Sequence, residues 1–129
     1  MSYQSKLVMC EMLNLLNAKD KTQLRKTQMH FIDATKKQTD LAKEYNAAKA
    51  AINTEYEYDD PQREQALEDI KDEFEFLKAE AAAYSDQAEQ EVNDLNTRID
   101  MRQSLIDNTK DEISREVEQD HQYGFNTTR

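Results

Sequence analysis

The chain has few places at which it can reverse direction. Its 129 residues include one glycine, Gly124, and one proline, Pro61, and tight turns draw heavily on these two residue types. The remainder is rich in strong helix formers such as Ala, Glu, Gln, Lys and Leu. This composition argues against α/β enzymes and all-β sandwiches, and it predicts an all-α protein made of long helices.

The half of the chain after Pro61 carries a heptad pattern. Its apolar residues recur at alternating spacings of three and four, which is typical of a helix that packs along one stripe, here called the seam. An additional spacing of four follows Ala88 and predicts a stutter there. The large seam residues of this half are Leu67, Ile70, Phe74, Leu77, Tyr84, Val92, Leu95, Ile99, Ile106 and Ile113, with Ala81 and Ala88 between them.

The half before Pro61 repeats the pattern less completely. Its seam residues are Leu24, Phe31, Leu41, Tyr45 and Ile52. Residues 17–23 contain no large apolar side chain and interrupt the stripe. This segment is either a loop after a short helix over residues 3–16 or part of one continuous helix, and the lack of a helix breaker favours the second interpretation.

A single strong break separates the two halves. Asp60 is suited to cap a helix with its carboxylate, and Pro61 is suited to the first helical position, where its missing N–H is not needed. Gly124 is suited to end that helix in a left-handed conformation, with Phe125 folding back onto the last turn. We therefore expect one domain over residues 1–129, with helices at about 3–57 and 61–122, a corner at 58–61 and a tail at 124–129.

The similar lengths of the two helices predict an antiparallel coiled-coil hairpin. A corner at residues 59–60 places Tyr45 opposite Phe74 and Leu24 opposite Leu95. The same register sets the basic stretch 19–49, with eight Lys/Arg and four Asp/Glu, beside residues 70–100, with three and nine. Because opposite charges attract, the charge pattern and the seam favour the same alignment.

Charge and targeting signals limit the choice of partners. The net charge of −10 disfavours binding to nucleic acid or to an anionic membrane surface. No stretch has the pattern of a signal peptide or the length of a membrane span, so the expected location is the cytoplasm, with signal-less export to the cell surface left open. Cys10 lies in an apolar run without basic neighbours, which predicts a buried, inert thiol.

The sequence offers no convincing catalytic or metal site. Glu118 and His121 have the spacing of a di-iron helix-bundle motif, but His30, the other histidine, lacks a matching Glu-x-x-His. Two histidines and one cysteine do not complete a zinc site in one chain. We therefore expect a protein that is not an enzyme, with no catalytic residues, no cofactor and no metal.

Several apolar residues are left over once a two-helix seam is satisfied. Residues 7–16 are apolar around more than half of the helix, and an excess of this kind indicates a neighbour. The predicted assembly interface contains Tyr3, Leu7, Val8, Met12, Leu13, Leu16, Phe76 and Met101. An alternative is that the N-terminal segment folds back on its own hairpin. Tyr56 and Tyr58 form an aromatic, acidic tip beside the corner, suited to contact a partner.

In its architecture the chain resembles bacterial secretion-apparatus proteins built as helical hairpins. The matching features are Met1-Ser2-Tyr3-Gln4 leading into a helix, the single Asp59-Asp60-Pro61-Gln62 corner and a seam that continues to the C-terminus. The family includes needle or filament subunits and the stalk proteins of the export ATPase. The resemblance implies a hairpin that works by assembly with other protein chains.

Two functional hypotheses follow. The first is a non-enzymatic structural protein, a self-assembling hairpin subunit of a bacterial filament or secretion-type assembly whose partner is another copy of itself. The second is a coiled-coil adaptor or chaperone-like module that binds a different protein through its tip or its N-terminal helix.

Overall fold

The protein folds as an all-α helical hairpin, as the sequence predicts. The computed structural model describes residues 2–127, and the side chains of residues 2–121. Helix α1 spans Tyr3–Glu55 and helix α2 spans Pro61–Thr127. The two helices pack against each other, and the described part of the chain contains no β-strand.

Helix α1 is continuous through residues 17–23, so the alternative of a separate N-terminal helix is wrong. Its N-terminus is capped by Ser2, whose Oγ accepts a hydrogen bond from the backbone N–H of Ser5 at 3.2 Å. The stripe is not interrupted at residues 17–23 either. Asn17 is buried and Asp20 half-buried at seam positions, and polar partners on α2 compensate for the missing apolar contacts.

The corner covers residues 56–60. Helix α1 ends at Glu55, two residues earlier than expected, and a turn follows in which the N–H of Asp60 donates to the carbonyl of Glu57 at 3.1 Å. The carboxylate of Asp60 accepts a hydrogen bond from the N–H of Gln62 at 2.9 Å. The predicted cap is therefore confirmed, with Pro61 at the first helical position.

The predicted end of α2 near residue 122 is wrong. The helix continues through Gly124 to Thr127, and Gly124 does not adopt a positive φ angle. Glycine permits a left-handed cap but does not impose one, and within a helix it costs only about 1 kcal/mol relative to Ala. The contact expected of Phe125, and the last two residues of the predicted tail 124–129, lie outside the described residues.

The chain divides into two compact units. The terminal unit combines the residues up to Arg25 with those from Val92 onward, and the corner unit is Lys26–Glu91. Each unit pairs one segment of α1 with one segment of α2.

An aromatic stack fixes the register of the corner unit. The rings of Tyr45 and Phe74 lie 4.4 Å apart between centroids at an interplanar angle of 12°, which confirms the predicted pairing. The ammonium groups of Lys49 and Lys78 lie over these rings, 5.2 Å and 6.0 Å from the centroids. Further along this unit the buried seam residues are Thr27, Ala34, Leu41, Ala81 and Ala88.

Tyr84 is not a seam residue. Its side chain is 50% exposed, whereas Ser85 is half-buried in its place. The inward-facing residues Leu77, Ala81 and Ser85 are spaced by four and four, so the stutter lies here and not at Ala88. The small Ser85 fits between the helices at this position, and the Tyr84 hydroxyl stays in water without losing its hydrogen bonds.

The terminal unit has a core of aliphatic and polar residues. Cys10, Leu95, Ile99 and Ile106 are buried, and Ile106 is completely inaccessible to solvent. Asn17 and Thr109 are buried beside them. In the two units together, the other predicted seam residues are half-buried: Leu24, Phe31, Tyr45, Ile52, Leu67, Ile70, Phe74, Leu77, Val92 and Ile113.

Two phenylalanines, two positions apart on α2, provide a test of the seam. Phe74 stacks on Tyr45, whereas Phe76 is 69% exposed. We expect Phe74→Asp to lower the free energy of unfolding by about 3 kcal/mol, because it removes the stack and places a charge in the seam. The control Phe76→Asp is expected to change it by less than about 0.5 kcal/mol. Urea unfolding followed by circular dichroism measures both, and equal losses would contradict the assignment.

Candidate interaction surfaces

In the terminal unit, ion pairs join the two helices at both ends of the α1 segment. Near the N-terminus, the ammonium group of Lys6 lies 3.3 Å from Oε2 of Glu112 and also binds the carboxylate of Glu116. At the other end Asp20 accepts from two arginines. Its Oδ2 lies 3.2 Å from Nε of Arg98 and also contacts Arg102.

Asn17 lies between these ion pairs and is almost completely buried. Its Nδ2 donates a hydrogen bond to the backbone carbonyl of Ile99 at 3.2 Å. Its Oδ1 is buried with no hydrogen-bond partner among the described residues, and this arrangement lowers stability relative to an apolar side chain. A buried Asn in a coiled-coil seam typically trades stability for a single register, because other alignments leave its amide unpaired.

Sequence reasoning missed this polar part of the seam because it followed large apolar residues only. Lys6, Cys10, Leu13, Asn17, Asp20 and Leu24 continue the alternating spacing of four and three that marks α1 elsewhere. The spacing of these residues therefore indicated a continuous seam. The charged partners of Lys6 and Asp20 on α2 are Arg98, Arg102, Glu112 and Glu116.

The ion pairs of Lys6 shift its protonation. The hydrogen bond to Glu116 is the main cause that raises the pKa of Lys6 above its ordinary value of 10.5, and Glu112 adds to it, while desolvation opposes the shift. The protonated ammonium is therefore favoured in the folded protein.

The predicted assembly residues fall into two groups. Tyr3 and Leu13 are half-buried at seam positions, so their assignment to an outer face is wrong; the polar seam residues around them keep the stripe directed at α2. The remaining six are exposed: Leu7, Val8, Met12, Leu16, Phe76 and Met101.

An apolar patch joins both helices of the terminal unit, and we define it as Met9, Met12, Leu16, Met101 and Leu105. The α1 members are spaced by three and four and share one helix face, as do the two α2 members. Leu105 lies seven residues from both Arg98 and Glu112, whose side chains reach α1. It therefore lies at the edge of α2 next to α1, on the side to which Met9 and Leu16 belong in an antiparallel pair.

The patch leaves much of its apolar surface in solvent. Met12 is 59% exposed and Met101 is 68% exposed, while Leu16 and Leu105 are exposed to a smaller extent. Residues 2–18 contain only two charged side chains, Lys6 and Glu11, and Lys6 is already paired with α2. The surface of residues 2–18 is therefore unusually poor in charge for a chain in which 34% of the residues are charged.

The corner unit has a groove, which we name the alanine groove. It has a volume of about 270 Å³ and is lined by Asp33, Ala34, Lys37, Leu77, Glu80, Ala81 and Tyr84. It forms where Ala34 and Ala81 face each other, because two methyl groups do not fill the space between the helices. Tyr84, displaced outward by the stutter, forms one wall.

The tip has one exposed ring and one partly covered ring. Tyr58 is 88% exposed and carries the guanidinium of Arg63 at 5.2 Å from its centroid. Arg63 is held in turn by Asn53, whose Oδ1 accepts from Nη2 at 2.8 Å. Tyr56 is half-buried, so Tyr58 is the more accessible of the two rings.

The two units differ strongly in charge. The terminal unit contains nine Lys/Arg and ten Asp/Glu, and the corner unit contains eight and seventeen. Nearly all of the net negative charge therefore belongs to the corner unit, at −9. The apolar patch lies in the nearly neutral unit and the alanine groove in the acidic one.

The described residues offer neither a metal site nor a membrane-spanning helix. Among the described residues, no group of three or more His, Cys, Asp or Glu side chains is arranged to hold a metal ion. No helix in the described part of the chain is long and apolar enough to span a membrane. Comparison of the chain with family models, curated proteins and solved structures gives no match.

Replacing Asn17 tests the polar seam. We expect Asn17→Leu to raise the free energy of unfolding by about 1–2 kcal/mol, because it removes a buried oxygen without a partner and adds apolar contact. We also expect a less specific alignment of the helices. Thermal unfolding measures the first effect, and paired spin labels at the exposed positions 19 and 100 measure the second as a broader distance distribution. A destabilised variant with an unchanged distribution would contradict this role.

The ion pairs of Lys6 predict loosening at alkaline pH. Because its pKa is raised in the folded state, its contribution is present below the ordinary value of 10.5 and is lost as the pH rises through the raised value. We expect the protection of amides in residues 3–16 from hydrogen exchange, relative to the intrinsic base-catalysed rate, to fall over this range in the wild type. Lys6→Met should remove this part of the pH dependence, with Lys19→Met, an exposed lysine, as the control. Identical profiles for wild type and Lys6→Met would contradict the prediction.

Proposed function

We propose that this protein is a non-enzymatic structural subunit that self-associates through the apolar patch of its terminal unit. The observation that carries the proposal is the exposure of Met12, Leu16, Met101 and Leu105 on one side of a helix pair. Apolar surface that spans two helices is costly to leave in water, and covering it is the usual driving force of association.

The charge distribution favours a second copy as the partner at this patch. A chain with a net charge of −10 repels itself, so self-association requires a contact where charge is low. The terminal unit, with a net charge of −1, meets this requirement. Two hairpins related by a two-fold axis would bring identical patches together and form a four-helix arrangement with a methionine-rich centre.

A place in a bacterial filament or secretion-type assembly is part of the same proposal. It is supported by the architecture of two long helices with one Asp-Asp-Pro-Gln corner, which resembles the hairpin subunits of such assemblies. Methionine side chains adapt to irregular neighbours, and this property suits a patch that meets other copies in a repeating structure. In that assembly the subunit would act at the cell surface after export.

Charge in the patch is the direct test of self-association. We expect the wild type to sediment as a dimer or larger species at micromolar concentration, and Met12→Glu/Leu16→Glu to sediment as a monomer. Burial of each side chain contributes about 1.5–3 kcal/mol, so the double variant is expected to weaken association at least about 100-fold.

The matched control carries the same charges on the corner unit. Met29 and Ile32 are exposed to a similar extent but lie outside the patch, so Met29→Glu/Ile32→Glu is expected to leave the sedimentation unchanged. Circular dichroism checks that both variants keep their helix. A wild type that remains monomeric at high concentration would overturn the proposal.

A further inference from the structure

We propose that the alanine groove of the corner unit binds a cationic amphipathic helix of a different protein. This site is separate from the apolar patch, and the inference does not depend on self-association. It rests on three observations in the corner unit: the shape of the groove, the aromatic residues beside it and the charge around it.

The alanine groove lies beside a second hollow, and the spacing of the two hollows matches a helix. The larger hollow is the alanine groove itself, whose lining includes Ala34 and Ala81. A smaller one of about 120 Å³ is lined by Thr27 and Ala88, together with His30, Tyr84, Gln87 and Glu91. Thr27 precedes Ala34 by seven residues and Ala88 follows Ala81 by seven, which corresponds to about 10 Å along a helix. Two apolar side chains at positions i and i+7 of a bound helix have the same separation.

Tyr84 and Phe76 provide aromatic surface next to these hollows. Tyr84 lines both of them and is half-exposed, and Phe76 is one helical turn before Glu80 on the same face of α2. Exposed aromatic rings beside a concave apolar surface are typical anchors of protein interfaces. A helix lying over the two hollows would contact Tyr84 from each of them. Its next turn would contact Phe76.

Charge selects the partner. The residues that line the two hollows include three carboxylates, Asp33, Glu80 and Glu91, and one lysine, Lys37. The unit as a whole has a net charge of −9. Two such units repel each other, so a second copy is disfavoured here, whereas a helix with lysine or arginine on its polar flanks is attracted.

Designed peptides test the inference with the full-length protein. The probe is a fluorescent peptide of about 18 residues that contains only leucine and lysine, with leucine at helical positions i, i+3, i+4 and i+7. The second peptide has the same composition in scrambled order, and the third has glutamate in place of lysine. At about 0.15 M salt, where weak surface attraction is screened, we expect the first peptide to bind with one-to-one stoichiometry. We expect the scrambled peptide to bind at least 10-fold more weakly and the acidic peptide not to bind.

Variants locate the binding site. Phe76→Ser/Tyr84→Ser is expected to weaken binding of the leucine–lysine peptide at least 10-fold. Glu80→Lys is also expected to weaken binding, because it replaces a carboxylate of the groove with a positive charge that repels the peptide. Met29→Ser, a similarly exposed residue outside the hollows, should have no effect. Circular dichroism verifies the fold of each variant.

Several results would overturn the inference. Equal binding of the ordered and scrambled peptides would show attraction by charge alone. Unchanged affinity of Phe76→Ser/Tyr84→Ser would place the site elsewhere, and loss of binding in Met12→Glu/Leu16→Glu would place it on the apolar patch. A change in the sedimentation of Phe76→Ser/Tyr84→Ser without peptide would identify a second copy as the occupant. The peptide affinity of Phe76→Ser/Tyr84→Ser does not test self-association through the apolar patch, which the sedimentation of Met12→Glu/Leu16→Glu tests separately.

Discussion

The structure depends on the contact of two helices along one narrow stripe. A helix pair has no interior apart from this seam, so each side chain in it determines how closely and in which register the helices pack. In the corner unit, the Tyr45–Phe74 stack sets the alignment, and small buried residues such as Ala34 and Ala81 occupy the seam. Because their methyl groups do not fill the space between the helices, they also leave the groove.

The terminal unit uses the same geometry with different chemistry. Lys6, Asn17 and Asp20 occupy positions that are apolar elsewhere, and each is paired with α2. Ion pairs of this kind contribute little net stability when partly exposed, but they penalise a shifted alignment. The outer side of the same segment carries the apolar patch. This unit thus combines a seam of mixed aliphatic and polar residues with apolar outer surface, and the exposed apolar surface favours contact with another chain.

In the two proposals made above, the separation of charge between the units gives them different partners. An almost neutral surface permits contact between identical chains, whereas a surface of net charge −9 favours a cationic one. A hairpin with both features would connect copies of itself at one unit and bind another protein at the other. This division follows from where the carboxylates lie along the chain, since the two units share one fold.

The sequence by itself determined the two helices, the Asp60–Pro61 corner and the pairing of Tyr45 with Phe74. These features follow from local signals and from a periodicity of large residues that one register satisfies. It did not determine the end of α2, because Gly124 permits a cap without requiring one. The spacing of α1 already allowed Leu13, Asn17 and Asp20 as seam positions, but only the tertiary structure decided that they face α2 and that Ser85 packs inward instead of Tyr84. In each case the deciding factor was the partner across the helix pair, whose size or charge is absent from the local sequence.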